Sequence, residues 1–351
     1  MSENGGHNQG ADHPPRVAYL MLSHQRPVQV EDLVARILVL SPAGEVVVHH
    51  DAAATTEPWD GDPPSRVHCV DRIEVSWGDW SIVEASLRLL AYAVDHLDAQ
   101  WFVFLSGADR PIVDLASWER TLVVPGFDGI VAGRPITTRA AFGRRPTGDD
   151  LNYARYVYRW RPLPFSGSEA LDRVLAPATK ASRYLQPLFA IERAGRRGRW
   201  FIGTPRRAAF PHGWTVHTGP QWIAIDRKAA DVVLNTDPDV IDWFRDTWIP
   251  DQAYFHTILY NHPELVLRNE RLTFVVPQRY AALRPDWMVL RADDLDDVFA
   301  SGTAFARKLD PTVDPDVANL IDDAVDNRRE TTPPRGASCP ALPTPATEGQ
   351  G

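Results

Sequence analysis

Two cysteines in 351 residues, Cys69 and Cys339, are too few and too far apart for a disulfide framework or a cysteine-rich zinc site. The opening stretch, MSENGGHNQGADHPPR, has no apolar core of the kind a signal peptide or membrane anchor needs. No later run is apolar and long enough to cross a bilayer, and internal repeats and coiled-coil heptads are missing as well. These absences lead us to expect a cytoplasmic protein without a transmembrane segment. Positive charge is scarce too: 37 Lys and Arg face 46 Asp and Glu, a net charge of −9 and a pI of about 5.7. No global field draws such a chain to nucleic acid, so no nucleic-acid partner is expected and any phosphate site has to be local. The phosphate-cradling glycine patterns GxGxxG and GxxxxGK[ST] are absent, which argues against a dehydrogenase or a P-loop enzyme.

What is present reads as an α/β chain. Polar, Gly- and Pro-rich ends predict tails over residues 1–15 and 327–351 around a single domain of residues 16–326. Val17 to Leu22 and Glu45 to His49 are short apolar runs that predict strands, with a helix through Val30, Leu33, Val34, Ile37 and Leu38 between them. Arg66 to Val75 predicts a further short strand. The clearest unit follows. Ile82, Ala85, Leu89 and Ala93 keep helical spacing after Asp79 or Ser81, with Glu84 placed to complete a capping box on Ser81. Trp101 to Leu105 (WFVFL) then predicts a mid-sheet strand covered on both faces. Pro111 is expected to end pairing there, which leaves Asp109 at the strand's carboxyl end, where open α/β sheets bind ligands.

Beyond it, Gly129 to Ala132 predicts another strand. Between Arg134 and Arg199 aromatics and arginines interleave, a composition that suits either a sugar- or phosphate-binding face or a solvated loop with snorkelling arginines. His217 to Ile225 predicts a turn feeding a strand, and Arg227 to Leu234 a helix. Pro250 suits a helix's first turn, with Asp251 near its positive end. Ser301 to Lys308 places two cations after a glycine.

In order along the chain, VAYLMLSHQRP, VVVHHD, SWGDWSIVEASLRLL with FVFLSGADRPI, HTGPQWIAIDR, PDQAYFHTIL and SGTAFARKLD resemble six blocks of the core-2/I-branching glycosyltransferase family. That family includes β-1,6-N-acetylglucosaminyltransferases, peptide O-xylosyltransferases and plant glucuronosyltransferase-like members, and the resemblance spans about Val17 to Asp310. It implies a GT-A-like fold, α/β with a mainly parallel central sheet flanked by helices. It also implies inverting transfer of a sugar, a HexNAc, xylose or similar, from a UDP-sugar co-substrate to a hydroxyl of a saccharide or glycoconjugate.

No metal or other cofactor is expected. Gly107-Ala108-Asp109 stands after Leu105, where other GT-A enzymes carry an Asp-X-Asp metal motif, so fixed cations would have to stabilise the leaving diphosphate. The resemblance gives that role to Lys308, with Arg284 or Arg291 as partner. It places Asp51, Trp77 and the backbone around Leu22 to His24 against uracil and ribose, while Asp109 is a candidate for the donor from its place at the strand's carboxyl end alone. Other readings stand beside these, core packing for Trp77 and a helix cap for Asp51. Gln252 occupies the position of the family's glutamate base, and an amide cannot take a proton at neutral pH. Asp251 is the candidate substitute, although neighbours on a helix point about 100° apart. The other reading is a catalytically impaired homologue that keeps nucleotide-sugar binding.

Overall fold

Strand and helix alternate from the start: β1 (Val17–Ser23), α1 (Pro27–Leu40), β2 (Glu45–His50), β3 (Val67–Cys69), α2 (Ser81–His96) and β4 (Trp101–Ser106). The computed structural model describes residues 15–331 apart from 25, 60, 125, 138–147, 164–168, 186–187, 195–198, 208, 278–283, 285 and 287. Next come β5 (Asp109–Pro111), α3 (Leu115–Leu122), β6 (Gly129–Ile130) and β7 (Arg134–Pro135). The arginine-rich stretch folds as α4 (Gly148–Val157), β8 (Tyr158–Pro162), α5 (Glu169–Tyr184), β9 (Ala190–Ala194) and β10 (Arg199–Pro205). The remainder is β11 (His217–Thr218), β12 (Ala224–Asp226), α6 (Arg227–Leu234), α7 (Pro238–Arg245), α8 (Tyr254–Asn261), β13 (Leu267–Arg268), β14 (Thr273–Val275), α9 (Leu295–Ala300), β15 (Phe305–Arg307) and α10 (Val317–Thr331).

Seven strands form the central sheet in the order β13-β6-β12-β4-β1-β2-β3, which puts Trp101–Ser106 in the middle. Pairing is parallel except that β12 runs antiparallel to both β4 and β6. The fold is thus the expected α/β class with a mainly parallel sheet. Two-residue alternation sorts the side chains. Val17, Tyr19, Met21, Trp101, Val103 and Leu105 enter one core with α1, α3 and α10, while Ala18, Leu20, Phe102 and Phe104 enter the other with α2, α6, α7 and α8. Both faces are covered, which is why these strands carry no polar alternation.

Four expectations need correction. Glu84 does not complete a capping box on Ser81; Asp79 accepts from the Ser81 N–H at 2.8 Å, and the Ser76 N–H donates to the Ser81 hydroxyl at 2.8 Å. Only Val67–Cys69 of the stretch 66–75 joins the sheet, because the backbone beyond it bonds elsewhere: the Ile73 N–H to His49 Nε2 at 3.1 Å and the Val75 N–H to Asp51 at 3.1 Å. Pro111 does not end pairing, since Asp109–Pro111 runs antiparallel to Phe305–Arg307. The last helix continues to Thr331, five residues past the expected domain end, because Arg328 stacks on Phe299 at 4.1 Å and Arg329 pairs with Asp114 at 3.0 Å. The rest of both expected tails, residues 1–14 and 332–351, lies outside the described residues. Among the described residues no helix is long and apolar enough to cross a membrane.

Candidate active site

The carboxyl ends of β1 and β4 open onto one cleft, lined by Ser23, His24, Arg26, Gln29, Ser106, Gly107, Ala108 and residues 307–310. Backbone hydrogen bonds fix its floor. Asp51 N–H donates to Ser23 O, Gly107 N–H to Leu22 O and Leu309 N–H to Ala108 O, each at 2.9 Å. Gly107 lies so close to β1 that a Cβ there would stand 3.0 Å from Ser23 Cβ and 3.0 Å from Val30 Cγ2. The small residues after β4 therefore let the cleft approach the sheet backbone.

His24 borders this cleft and is exposed. Lys308 does too, and among the described residues its ammonium makes no ion pair, so it presents an uncompensated charge. The neighbouring cation is Arg307. Its guanidinium lies 4.4 Å above the Trp222 ring and 3.4 Å from Asp109. Asp109 is wholly buried, accepts from the Ser106 N–H at 2.9 Å, and is pushed up to about 6 by desolvation. It stands behind the cleft and orients Arg307, rather than meeting a ligand as expected.

Neither Arg284 nor Arg291 borders the cleft. Arg284 pairs with Asp294 at 2.7 Å and Arg291 with Asp286 at 2.6 Å, although Leu290 N–H donating to Lys308 O at 2.9 Å keeps Arg291 one residue from the Lys308 strand. Sequence reasoning noted Arg307 as one of two cations in SGTAFARKLD but gave it no role at the site, and it passed over Trp222 in HTGPQWIAIDR. It also missed Arg26, which pairs with Asp310 at 2.6 Å and holds that carboxyl down at about 2.

Asp51 acts as a turn anchor and not as a helix cap. Its Oδ1 accepts from Ala53 N–H at 2.9 Å and Val75 N–H at 3.1 Å, fixing the segment that leads to Trp77. His49 and His50 reinforce the same corner, His50 Nδ1 sharing a 2.8 Å hydrogen bond with the Ser23 hydroxyl. Burial lowers both imidazoles, His49 to about 4, so they are neutral at pH 7. Trp77 is 57% exposed, which rules out core packing. Its ring meets Trp248 edge-on at 6.4 Å, and Gly78 O accepts from Ile249 N–H at 2.9 Å. Those two contacts bring the Pro250–Gln252 turn beside Trp77.

Pro250–Gln252 forms one 3-10 turn before α8 instead of opening the helix itself. Adjacent side chains diverge there. Gln252 is partly exposed, with Tyr156 OH at 3.5 Å from its Oε1, whereas Asp251 is buried and its Oδ1 has no hydrogen-bond partner. Desolvation pushes Asp251 up to about 7, against the opposing pull of Arg155. Loop 218–222 connects this turn to the cleft. At one end Gly219 N–H donates to Gln252 O at 2.9 Å, and at the other Trp222 lies under Arg307. Gly219 is forced to be glycine, since a Cβ would stand 1.9 Å from Ala132 O.

The arrangement offers an exposed aromatic face, two cations at a strand-end cleft, and a carboxyl that gains and loses a proton near neutral pH. Among the described residues no group of three or more His, Cys, Asp or Glu is placed to hold a metal ion.

The model of the Core-2/I-Branching enzyme family matches residues 17–124 and 192–283. A xylosyltransferase of Ciona intestinalis is 26% identical over 140 residues, covering 35% of this chain and 16% of that protein, so the chain spans about a sixth of that relative's length. Among solved structures, HddC from Yersinia pseudotuberculosis shares 9% identity at a TM-score of 0.26, over 63% of this chain and 80% of that one. Its complex with GMP-PN aligns at 10% identity and a TM-score of 0.27, over 64% and 81%. At those scores the likeness carries no argument.

Proposed function

The chain belongs to the Core-2/I-Branching enzyme family, and from that membership we propose that it is a glycosyltransferase, transferring a sugar from a UDP-sugar to a hydroxyl of a saccharide or glycoconjugate. What supports this reading is a chain of contacts: Trp77 meets Trp248 beside the Asp251–Gln252 turn, Gly219 N–H donates to Gln252 O, and Trp222 at the far end of the same loop lies under Arg307, next to Lys308 of the cleft. Trp77 stacks on the uracil, Asp51 positions the segment that presents it, and the rim at His24 receives the ribose. Lys308 and Arg307 take the charge of the diphosphate, and this is why the transfer needs no metal. The acceptor oxygen attacks the anomeric carbon opposite the diphosphate. The carbon–oxygen bond to UDP breaks with its electrons leaving on UDP, the anomeric centre inverts, and the acceptor's proton passes to a base. Asp251 is that base, since a carboxyl titrating near 7 is matched to the task. A HexNAc or xylose donor and a cytoplasmic setting belong to the same reading.

One observation favours a second reading. Gln252 fronts the surface at the family's glutamate position while Asp251 lies behind it, as expected of a homologue that binds nucleotide-sugar and has lost transfer. Single-turnover transfer, with donor binding measured alongside and EDTA present or absent, decides between them. Transfer by wild type that persists in EDTA, falls about 10²–10⁴-fold in Asp251→Asn and rises as pH passes through 7 supports the first reading. Wild type inert with every donor it binds, and Gln252→Glu active, supports the second. A need for Mn²⁺ or Mg²⁺ would overturn the cation mechanism.

A further inference from the structure

Charge in this chain is segregated. Between residues 134 and 207 there are sixteen Lys and Arg against five Asp and Glu, a net of +11, while the remainder carries twenty-one against forty-one, a net of −20. Most of the basic segment falls in residues 125–191, between the two stretches the family model matches. Of the net +11, +6 lies in residues 134–191, outside the matched stretches, and +5 in residues 192–207, inside the second one.

The fold brings part of that charge to the candidate site. Along β8 the side chains alternate: Tyr158 and Trp160 are buried, whereas Arg159 and Arg161 are 53% and 60% exposed. Trp160 packs on Trp248 at 5.3 Å, and Trp248 in turn meets Trp77. Both β8 arginines reach the same carboxylate, Asp246, at 3.2 and 3.5 Å. A third guanidinium, Arg206, lies 4.1 Å over the Trp243 ring and donates to Trp243 O at 2.6 Å, and its Nε is buried with no partner. Desolvation lowers Arg206 to about 10, Asp246 opposes that shift, and Arg159 and Arg161 add to it. Two guanidiniums therefore share one carboxylate, five residues before Asp251, and a third, Arg206, feels the charge of all three groups.

We propose that this arginine cluster binds a polyanionic saccharide, one bearing carboxylate or phosphate groups, as the acceptor strand of the transfer reaction. The proposal rests on the transferase reading given above. Arginine suits the role because its planar fork matches carboxylate and phosphate and stacks on aromatics, as Arg206 does on Trp243. The shape of the partner follows from the charge map. An anionic bilayer or a nucleic-acid duplex would also meet the acidic remainder of the chain, net −20, whereas a single glycan strand can lie on the Arg159, Arg161 and Arg206 cluster alone. Trp160, between Arg159 and Arg161, packs on Trp248, two residues before the Pro250–Gln252 turn, which is where an acceptor hydroxyl has to arrive.

The test uses the full chain. Binding of an oligogalacturonate of about ten residues is measured by calorimetry at low and physiological salt, with maltoheptaose, anionic phosphatidylglycerol vesicles and single-stranded RNA in parallel. UDP stabilisation against heat is recorded on the same samples. Oligogalacturonate is expected to bind and to weaken with salt, and maltoheptaose not to bind. The double variant Arg159→Gln/Arg161→Gln should lose about fivefold or more in affinity, while UDP stabilisation is unchanged. Asp246→Asn should bind more tightly than wild type, because it frees Arg159 and Arg161 from their shared carboxylate. Equal binding of maltoheptaose, no change in either variant, or tighter binding of vesicles or RNA would each overturn the proposal. If the oligogalacturonate results come out as expected but UDP gives no stabilisation, the donor reading falls and the anionic-glycan surface stands.

Discussion

Replacing Asp251 with Asn should make the protein more stable while it removes the base. The side chain keeps its shape but can no longer ionise. In wild type the carboxyl is buried, its Oδ1 lacks a partner, and it titrates near 7 rather than at the ordinary 3.8. A folded-state value above the unfolded one means that the unfolded chain releases this proton first, so stability falls as pH rises from about 4 to about 7. The distance from 3.8 to about 7 corresponds to about 4 kcal/mol lost above pH 7, and less than half of that is already lost at pH 5. The Asn variant escapes this penalty. With an unfolding entropy of about 2.1 cal/mol/K per residue over roughly 300 ordered residues, the gain at pH 8 is on the order of 5 °C in Tm. Scanning calorimetry of wild type and variant at pH 5 and pH 8 measures it. The difference between the two proteins is the useful quantity, because other shifted groups such as Asp109 and His49 titrate alike in both and cancel. The reasoning is refuted if the variant gains nothing at pH 8, or if its advantage is the same at pH 5. Coupled with lost transfer, a gain in stability would mark Asp251 as a carboxyl held in an unfavourable place for its chemistry.

Three further substitutions probe the site. Lys308→Ala should weaken UDP binding by one to two decades, since a charge-assisted contact is worth roughly 1.5–3 kcal/mol, and should leave Tm alone because the residue is exposed; unaltered affinity in a titration would make Lys308 a mere surface charge. Trp77→Ala should lose about 1–3 kcal/mol of UDP binding, as expected for a base stacked on an aromatic, with stability within about 0.5 kcal/mol; the opposite pattern, lost stability with intact binding, would return Trp77 to the core. Gly219→Ala should destabilise by about 1–3 kcal/mol, as overpacking does, because its Cβ meets Ala132 O at 1.9 Å and the loop carries both Trp222 and the Gln252 contact; a chemical-denaturation midpoint equal to wild type would show that the loop yields freely.

Period and composition made the architecture legible. A strand such as Trp101–Leu105, apolar at every position, has no solvent face to offer and has to lie mid-sheet, and the heptad-free spacing of Ile82 to Ala93 can only be a helix laid along one side. Order in the chain also set the blocks that assign the family. Pairing between distant segments was not legible, because it depends on which backbone groups find partners. Asp109–Pro111 looked like a terminating loop until Phe305–Arg307, two hundred residues on, supplied its ladder.

The side chains of the site divide in the same way. Residue identity alone determined that Gln252 cannot accept a proton and that a cation at Lys308 was available for an anion. Tertiary structure alone decided that Asp251 points inward and titrates near 7, that Asp109 is sealed behind Arg307, and that Arg284 and Arg291 are engaged by Asp294 and Asp286. A charge's chemistry is carried by its own atoms, but its pKa, its partner and its access to a ligand are set by desolvation and by neighbours that only the folded chain brings together.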